Sequence, residues 1–482
     1  MEMTIQKVLA DSGVAFGTSG ARGLVTQLTD EACAAFTAAF LGVMRQHGRV
    51  ERLAIGRDLR PSSPAMAAAC TAAATALGVE VDDYGVLPTP ALALQAMADG
   101  VPAIMITGSH IPFDRNGIKF YHPEGEITKA DEAAIMAAQG ELPTLAVSDP
   151  QPASARAWEG YVARYAEWFV GQPLAGWRVG LYQHLAAGRD LNHQVLEALG
   201  AEVVVLGRSD SFVPVDTEAV GQQDRERGRA WAEQHGLEAL LSTDGDGDRP
   251  LLGDEQGRWL RGDIVGLLCA RELGIRALAV PVSCNTAIDA CGAFEAVRRT
   301  RIGSPYVLDA MLELSRQHLR VAGFEANGGF LLGSDLQEGE RRLSALPTRD
   351  ALLPALTLMV AAARRGVALS ALAAELPARY TASDRLQQVP TERSRELLAS
   401  WTTDTQAMRQ ALDLKAPIDS HDTTDGLRVT LQDGEIVHLR PSGNAPELRC
   451  YVEAASEDRA QALVAQVIGR LVAIMQEPAG TA

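Results

Sequence analysis

Short β-branched runs that alternate with alanine- and leucine-rich helical patterns predict an α/β protein. Two observations sharpen this. The runs are nearly continuous in apolar residues, as strands covered on both faces are. Polar or glycine-rich segments follow several strand ends, where open α/β sheets gather ligands. The candidate strands are LAIGRD (53–58), PAIMIT (102–107), RVGLY (178–182), EVVVLG (202–207), ALLST (239–243) and ALAVPV (277–282). Helical windows between them include DEACAAFTAAFLGVMRQ from Asp30 and PAMAAACTAAATALG from Pro64.

The domain breaks follow from composition. The Pro-, Ser- and Ala-rich segment 143–158 reads as a linker. A turn-rich stretch, GDEQGRW (253–259), marks a second break, and a third lies near 376–383. Beyond it the character changes. DGLRVTLQDGEIVHLRPS (425–442) alternates with period two around an Asp-Gly turn, as an antiparallel hairpin does. The expected units are 1–150, 151–256, 257–376 and 377–482, the last of them α+β.

A chain of 482 residues, 47% apolar and 22% charged, has material for several soluble domains. A net charge of −17 argues against nucleic acid as partner, because a phosphate backbone needs a basic face. Small anions stay open, since a few arginines in one cleft bind phosphate on an acidic protein. Cys33, Cys70, Cys269, Cys284, Cys291 and Cys450 show no C-x-x-C spacing and read as reduced structural thiols. The N-terminal residues lack a secretion pattern. The apolar stretch from Ala351 is too short for a bilayer and contains Pro354. The expectation is a cytoplasmic protein with no membrane partner; oligomeric state is not legible.

Five segments carry candidate chemistry. TGSHIPFDRNGIKFY, from Thr107, places Ser109 where the chain leaves a strand, with Gly108 before it and His110 after it. A serine needs a base or a charge arrangement to become a nucleophile. The pattern is not G-x-S-x-G, so a hydrolase elbow is not expected. DGDGDRP puts Asp244, Asp246 and Asp248 at alternate positions, able to converge on one hard cation. A calcium loop competes, with Glu255 at its twelfth position, but Arg249 stands where the sharp-turn glycine belongs. A solvated acidic turn is the other alternative. Magnesium fits better, since it needs few protein ligands beside a phosphate oxygen.

GFEANGGF, from Gly323, spaces Glu325 and Asn327 so that both can face a sugar from one loop. RPSGNAPELR sets Arg440 beside Ser442, Gly443 and Asn444, a fork and backbone nest suited to phosphate. FGTSGARG, from Phe16, supplies Arg22 and is not a Walker loop.

Together, and in this order along the whole chain, these segments resemble the α-D-phosphohexomutase family, most closely its phosphomannomutase/phosphoglucomutase branch. The resemblance implies four domains: three related α/β domains with mixed sheets and a C-terminal α+β domain, around a central cleft. It implies that Ser109 is the phosphoserine, that Asp244, Asp246 and Asp248 bind Mg2+ together with it, and that Arg249 and Arg22 belong to the active site. It implies Lys119 as a proton-moving lysine, with His110 a further candidate. Glu325 falls in the sugar loop, and Arg440, Ser442, Gly443 and Asn444 in the loop for the non-reacting phosphate. The implied reaction interconverts hexose 6-phosphate and hexose 1-phosphate, most closely mannose phosphates, with hexose 1,6-bisphosphate as intermediate and activator. Glucose phosphates, a phosphoglucosamine or silent sugar-phosphate binding are the alternatives. The sugar loop lacks the Gln-Ser pairing of the phosphoglucosamine branch. Asn327, Gly329 and Ser304 depart from residues common in relatives (a serine and two histidines), which leaves the general acid and base unassigned.

Overall fold

The computed structural model of the chain describes residues 4–17, 20–145, 152–213, 215–442 and 446–476. Four sheet-centred units follow one another. The first sheet holds β1 (Ala15–Phe16), β2 (Ala21–Leu24), β3 (Arg52–Arg57), β4 (Glu80–Val86), β5 (Ala103–Ile106), β6 (Arg115–His122) and β7 (Gly125–Glu126). The second holds β8 (Arg178–His184), β9 (Glu202–Arg208), β10 (Ala239–Thr243) and β11 (Pro250–Gly253). The third is built from β12 (Ala277–Pro281), β13 (Ala296–Thr300), β14 (Val321–Phe324) and β15 (Phe330–Leu332). A small hairpin, β16 (Leu336–Glu338) and β17 (Arg341–Leu343), precedes the edge strand β18 (Leu346–Asp350). The C-terminal sheet is antiparallel: β19 (Tyr380–Gln387), β20 (Ile418–Asp422), β21 (Leu427–Leu431), β22 (Ile436–Pro441) and β23 (Glu447–Ala454).

The first three units share one topology. Their four central strands run in the orders β6-β5-β3-β4, β11-β10-β8-β9 and β15-β14-β12-β13. In each, the first strand pairs in parallel with the second and third, and the third pairs antiparallel with the fourth. The connection from third to fourth strand therefore leaves the same end of each sheet. Those connections are 107–114, 244–249 and 325–329. They are the serine, aspartate and Glu-Asn motifs. Three segments with little residue similarity thus occupy one topological position three times.

All six strands expected from the sequence form, with ends shifted by one or two residues. Every residue of β5, β10 and β12 is buried, as strands covered by helices on both faces require. The helix Asp30–His47 starts where the Thr29 hydroxyl accepts the Ala32 N–H and buries Cys33, Phe36, Phe40 and Leu41. The segment read as a linker is shorter than expected, because the helix Arg156–Trp168 begins inside it. Its Tyr161 and Tyr165 are fully buried, and both hydroxyls donate to Asp350 of the third unit.

One hydrophobic core runs through the first three units. It joins Ala54 and Met105 of the first, Leu181 and Leu241 of the second, and Leu278, Phe324 and Leu356 of the third. The C-terminal unit has a core of its own around Val429, Leu439, Cys450, Val452 and Leu463. Its attachment to the third unit is largely polar. Glu453 accepts the Thr286 N–H of the third unit at 2.9 Å and, within its own unit, Arg379 Nε at 2.5 Å. Asp425 accepts the Ile302 N–H at 2.9 Å, and Arg301 Nε donates to the Thr424 carbonyl at 3.1 Å. All six thiols are free. Among the described residues no helix is long and apolar enough to cross a membrane.

Candidate active site

The three equivalent connections meet. Ser109 is fully buried with φ of 51°, a left-handed conformation that costs a non-glycine residue energy. Its surroundings hold it there. The Ser109 N–H donates to Thr107 Oγ1 at 2.8 Å, and Thr107 Oγ1 donates to Asp58 Oδ2 at 2.8 Å. Arg60 then clamps the loop from behind. Its two terminal nitrogens donate to the carbonyls of Ser109, Ile111, Pro112 and Arg115 at 2.6–2.9 Å. Gly108 is required at this point, since a Cβ there would lie 2.5 Å from the Arg60 guanidinium carbon. Neither Asp58 nor Arg60 was singled out in the sequence. The signal available was a polar pair, Asp58-x-Arg60, at the end of an apolar strand.

Ser109 Oγ donates to Asp244 Oδ2 at 2.6 Å. The aspartate triplet is buried, with Asp244 and Asp246 at 0% and Asp248 at 1% exposure, so it is not a solvated turn. It is not a calcium loop either. Strands flank it, and Glu255 turns away to accept from the Ser370 hydroxyl at 2.6 Å and N–H at 3.1 Å. One carboxylate oxygen from each aspartate lies within 4.8 Å of the others. Asp246 Oδ1 and Asp248 Oδ1 are buried with no hydrogen-bond partner among the described residues. Buried carboxylate oxygens without donors are costly unless a cation satisfies them, so the donor set fits a metal ion. Burial, with Asp248 and Asp246 beside it, pushes the Asp244 carboxyl up to about 8. Burial works to raise Asp248 too, but Arg349, Lys119 and Arg249 outweigh it and hold it well below the carboxylate range.

Cations surround the triplet. Lys119 Nζ, on β6, donates to Asp246 Oδ2 at 2.6 Å and Asp248 Oδ2 at 2.7 Å. Arg249 donates through Nη1 to His110 Nδ1 at 2.9 Å. The same nitrogen of His110 is 3.3 Å from Ser109 Oγ. Burial, reinforced by Arg249 and Arg22, drives the His110 imidazole well below its usual range, so it stands neutral. Arg22, on β2, is brought down to about 10 by burial and by Arg249 and Arg349. Thr89, also missed in the sequence, donates its hydroxyl to Asp246 Oδ2 at 2.6 Å.

Glu325 and Asn327 are buried and adjacent, with Asn327 Nδ2 donating to Glu325 Oε2 at 3.5 Å and Asn327 Oδ1 accepting the Gly329 N–H at 3.0 Å. Ser304 lies apart from the triplet and donates to Glu126 Oε2 at 2.6 Å. The C-terminal residues are placed differently. Arg440 pairs with both Asp425 oxygens at 3.0 Å, and Ser442 is buried. Gly443 and Asn444 lie outside the described residues. Arg449 of the same unit contributes to the field that keeps His110 neutral.

The candidate site is thus a buried serine on a carboxylate triplet that fits a metal ion, set among three repeated α/β units and a separate C-terminal sheet. Three family models match: the phosphoglucomutase/phosphomannomutase alpha/beta/alpha domain I over residues 13–142, its alpha/beta/alpha domain III over 261–380 and its C-terminal domain over 375–470. The chain is 51% identical over 467 residues to a phosphomannomutase of Salmonella muenchen, covering 96% of this chain and 97% of that one. It is 44% identical to a phosphomannomutase of Sinorhizobium fredii, covering 94% and 98%. A crystal structure of a putative phosphomannomutase from Thermus thermophilus shares the fold, with a TM-score of 0.73 at 22% identity over 95% of this chain and 99% of that one. The chain belongs to the phosphoglucomutase/phosphomannomutase family of phosphohexomutases.

Proposed function

We propose that the chain is a cytoplasmic phosphohexomutase that interconverts hexose 6-phosphate and hexose 1-phosphate, with mannose phosphates as its main substrates. The observation that carries this reading is the buried Ser109 Oγ, 2.6 Å from a carboxylate of the metal-fitting triplet. The lean to mannose rests on the relatives at 51% and 44% identity.

Ser109 carries the phosphoryl group. In the forward half-reaction the bond from phosphorus to Ser109 Oγ breaks and a bond to the free sugar hydroxyl forms, giving hexose 1,6-bisphosphate. In the return half-reaction the other phosphate moves back to Ser109. Added bisphosphate loads an empty Ser109 and so activates the protein. Arg22, Arg249 and Lys119 neutralise charge on the transferring group. Asp244, Asp246, Asp248 and a phosphoserine oxygen would hold Mg2+, which supplies Lewis-acid neutralisation of that group. His110 and Lys119 are the two candidates for the sugar hydroxyl's proton: His110 Nδ1 lies 3.3 Å from Oγ but accepts from Arg249, and Lys119 Nζ donates to two carboxylates. Glu325 and Asn327 hold sugar hydroxyls. Arg440, Ser442, Gly443 and Asn444 anchor the phosphate that is not reacting.

A coupled assay with mannose 1-phosphate and glucose 1-phosphate in parallel tests the reading. Turnover with a higher kcat/KM for mannose 1-phosphate, lost in Ser109→Ala, is expected. Equal turnover by Ser109→Ala would remove the serine from its role, and a preference for glucose 1-phosphate would overturn the substrate assignment.

A further inference from the structure

Arg349 links two of the three loops. It is the penultimate residue of β18, and its side chain is 1% exposed. Nε and Nη2 lie 3.1 and 3.0 Å from Asp248 Oδ2 of the aspartate loop. Nη1 donates to Glu325 Oε2 of the sugar loop at 3.2 Å. The next residue, Asp350, is pinned by Tyr161 and Tyr165 and accepts the Leu352 N–H at 2.9 Å, so the backbone that presents Arg349 is fixed from both sides. The sugar loop lies directly on the arginine's stem. A Cβ at Gly329 would sit 2.7 Å from Arg349 Cδ and 2.8 Å from Cγ. Gly329 is thus needed for space and not for backbone conformation.

We propose that Arg349 is a positioning residue that fixes the sugar-binding carboxylate at a set distance from the phosphoryl-transfer centre. This rests on the reading of Glu325 as a sugar ligand. Arg349 Nη1 and Asn327 Nδ2 both donate to Glu325 Oε2, so the carboxylate is held from two sides. The planar guanidinium reaches Asp248 and Glu325 together because its nitrogens diverge in one plane. A lysine ammonium keeps the charge but gives up that fork. Without the bridge, Glu325 is a buried carboxylate without its counter-charge, and the sugar loses its fixed partner.

The test is a double-mutant cycle at saturating Mg2+ on Arg349→Lys and Glu325→Gln, with KM and kcat for mannose 1-phosphate measured separately and thermal melting as a check on folding. Arg349→Lys is expected to raise KM about tenfold or more, the scale of a lost hydrogen bond to a charged group. Gly329→Ala, which pushes on the same stem, is expected to raise KM in the same direction. In the Glu325→Gln background Arg349→Lys should add little. Losses that simply add would overturn the proposal and leave Glu325 as a sugar ligand. A wild-type KM in Glu325→Gln would overturn both.

Discussion

The first three units and the C-terminal unit solve opposite problems. Ser109, Asp244, Asp248 and Glu325 sit on connections, and Lys119 on β6, all anchored in one shared core, and their contacts are short, buried and charged. Arg440 and Ser442 sit on a sheet whose core is separate, joined to the third unit mainly through Glu453, Asp425 and Asn285. Phosphoryl transfer rewards fixed geometry, because charge stabilisation and alignment are lost with small displacements. On the proposed mechanism, a bisphosphate that turns over between half-reactions needs loose holding at one stage. Polar joints that water can compete for suit a unit that releases and recaptures the outer phosphate.

The largest expected effect attacks the fixed side. Ser109→Ala should lower kcat by about 10³-fold or more in the coupled assay, since the phosphoryl carrier acts as a unit with its metal site. Next is Arg60→Met, which strips four carbonyls of a donor and leaves the buried Asp58 carboxylate without its counter-charge. A loss of about 3–5 kcal/mol in denaturant unfolding is expected, with activity falling as the strained Ser109 conformation relaxes. Unchanged activity in a folded Arg60→Met protein would show that the clamp does not set the nucleophile.

Acid should weaken the C-terminal sheet through a buried histidine, as it should the second unit, where burial holds His184 at about 4. In the C-terminal sheet, His438 is held at about 4 by burial, with Arg428 adding to it, against the ordinary 6.5. Its Nε2–H donates to the Asp425 carbonyl at 2.6 Å, and Nδ1 is buried without a hydrogen-bond partner among the described residues. Between these values the unfolded chain binds a proton that the folded one does not. This stability is full above pH 6.5 and is lost as pH falls toward 4, up to about 3 kcal/mol. Corrected hydrogen exchange should therefore show β21 and β22 losing protection over that window, with a smaller loss in His438→Gln. The smallest effect belongs to the joint itself. Glu453→Gln should cost about 1 kcal/mol, because Arg379 keeps a neutral acceptor. It should raise exchange around Thr286 and β19 while the first three units melt unchanged; a shift of the whole melt would mean that the joint is part of the common core.

Much of this contrast was legible in the sequence. Near-continuous apolar runs such as ALLST and ALAVPV identify strands covered on both faces, and the alternating segment after Asp425 marks the C-terminal sheet as different in kind. The residues that meet at the candidate site were legible because Ser109, the aspartate triplet and Glu325 stand in compact motifs. What escaped was long-range. The threefold topology is a matter of strand order, and the three connections share almost no residues. Arg349 and Arg60 lie 101 and 49 positions from Asp248 and Ser109, the residues they hold, so only the fold brings them together. The helix Arg156–Trp168 was hidden because its Pro- and Ser-rich approach resembles a linker while its buried tyrosines face the core.

The central claim is that Ser109 is the phosphoryl carrier. Intact-mass measurement of the purified protein after exposure to hexose 1,6-bisphosphate and Mg2+ tests it most directly. The account predicts the mass of one added phosphoryl group, mapped by peptide fragmentation to Ser109, its loss on addition of hexose monophosphate, and no addition in Ser109→Ala. A wild-type protein that never gains the group, or a Ser109→Ala protein that gains it equally, would contradict the account.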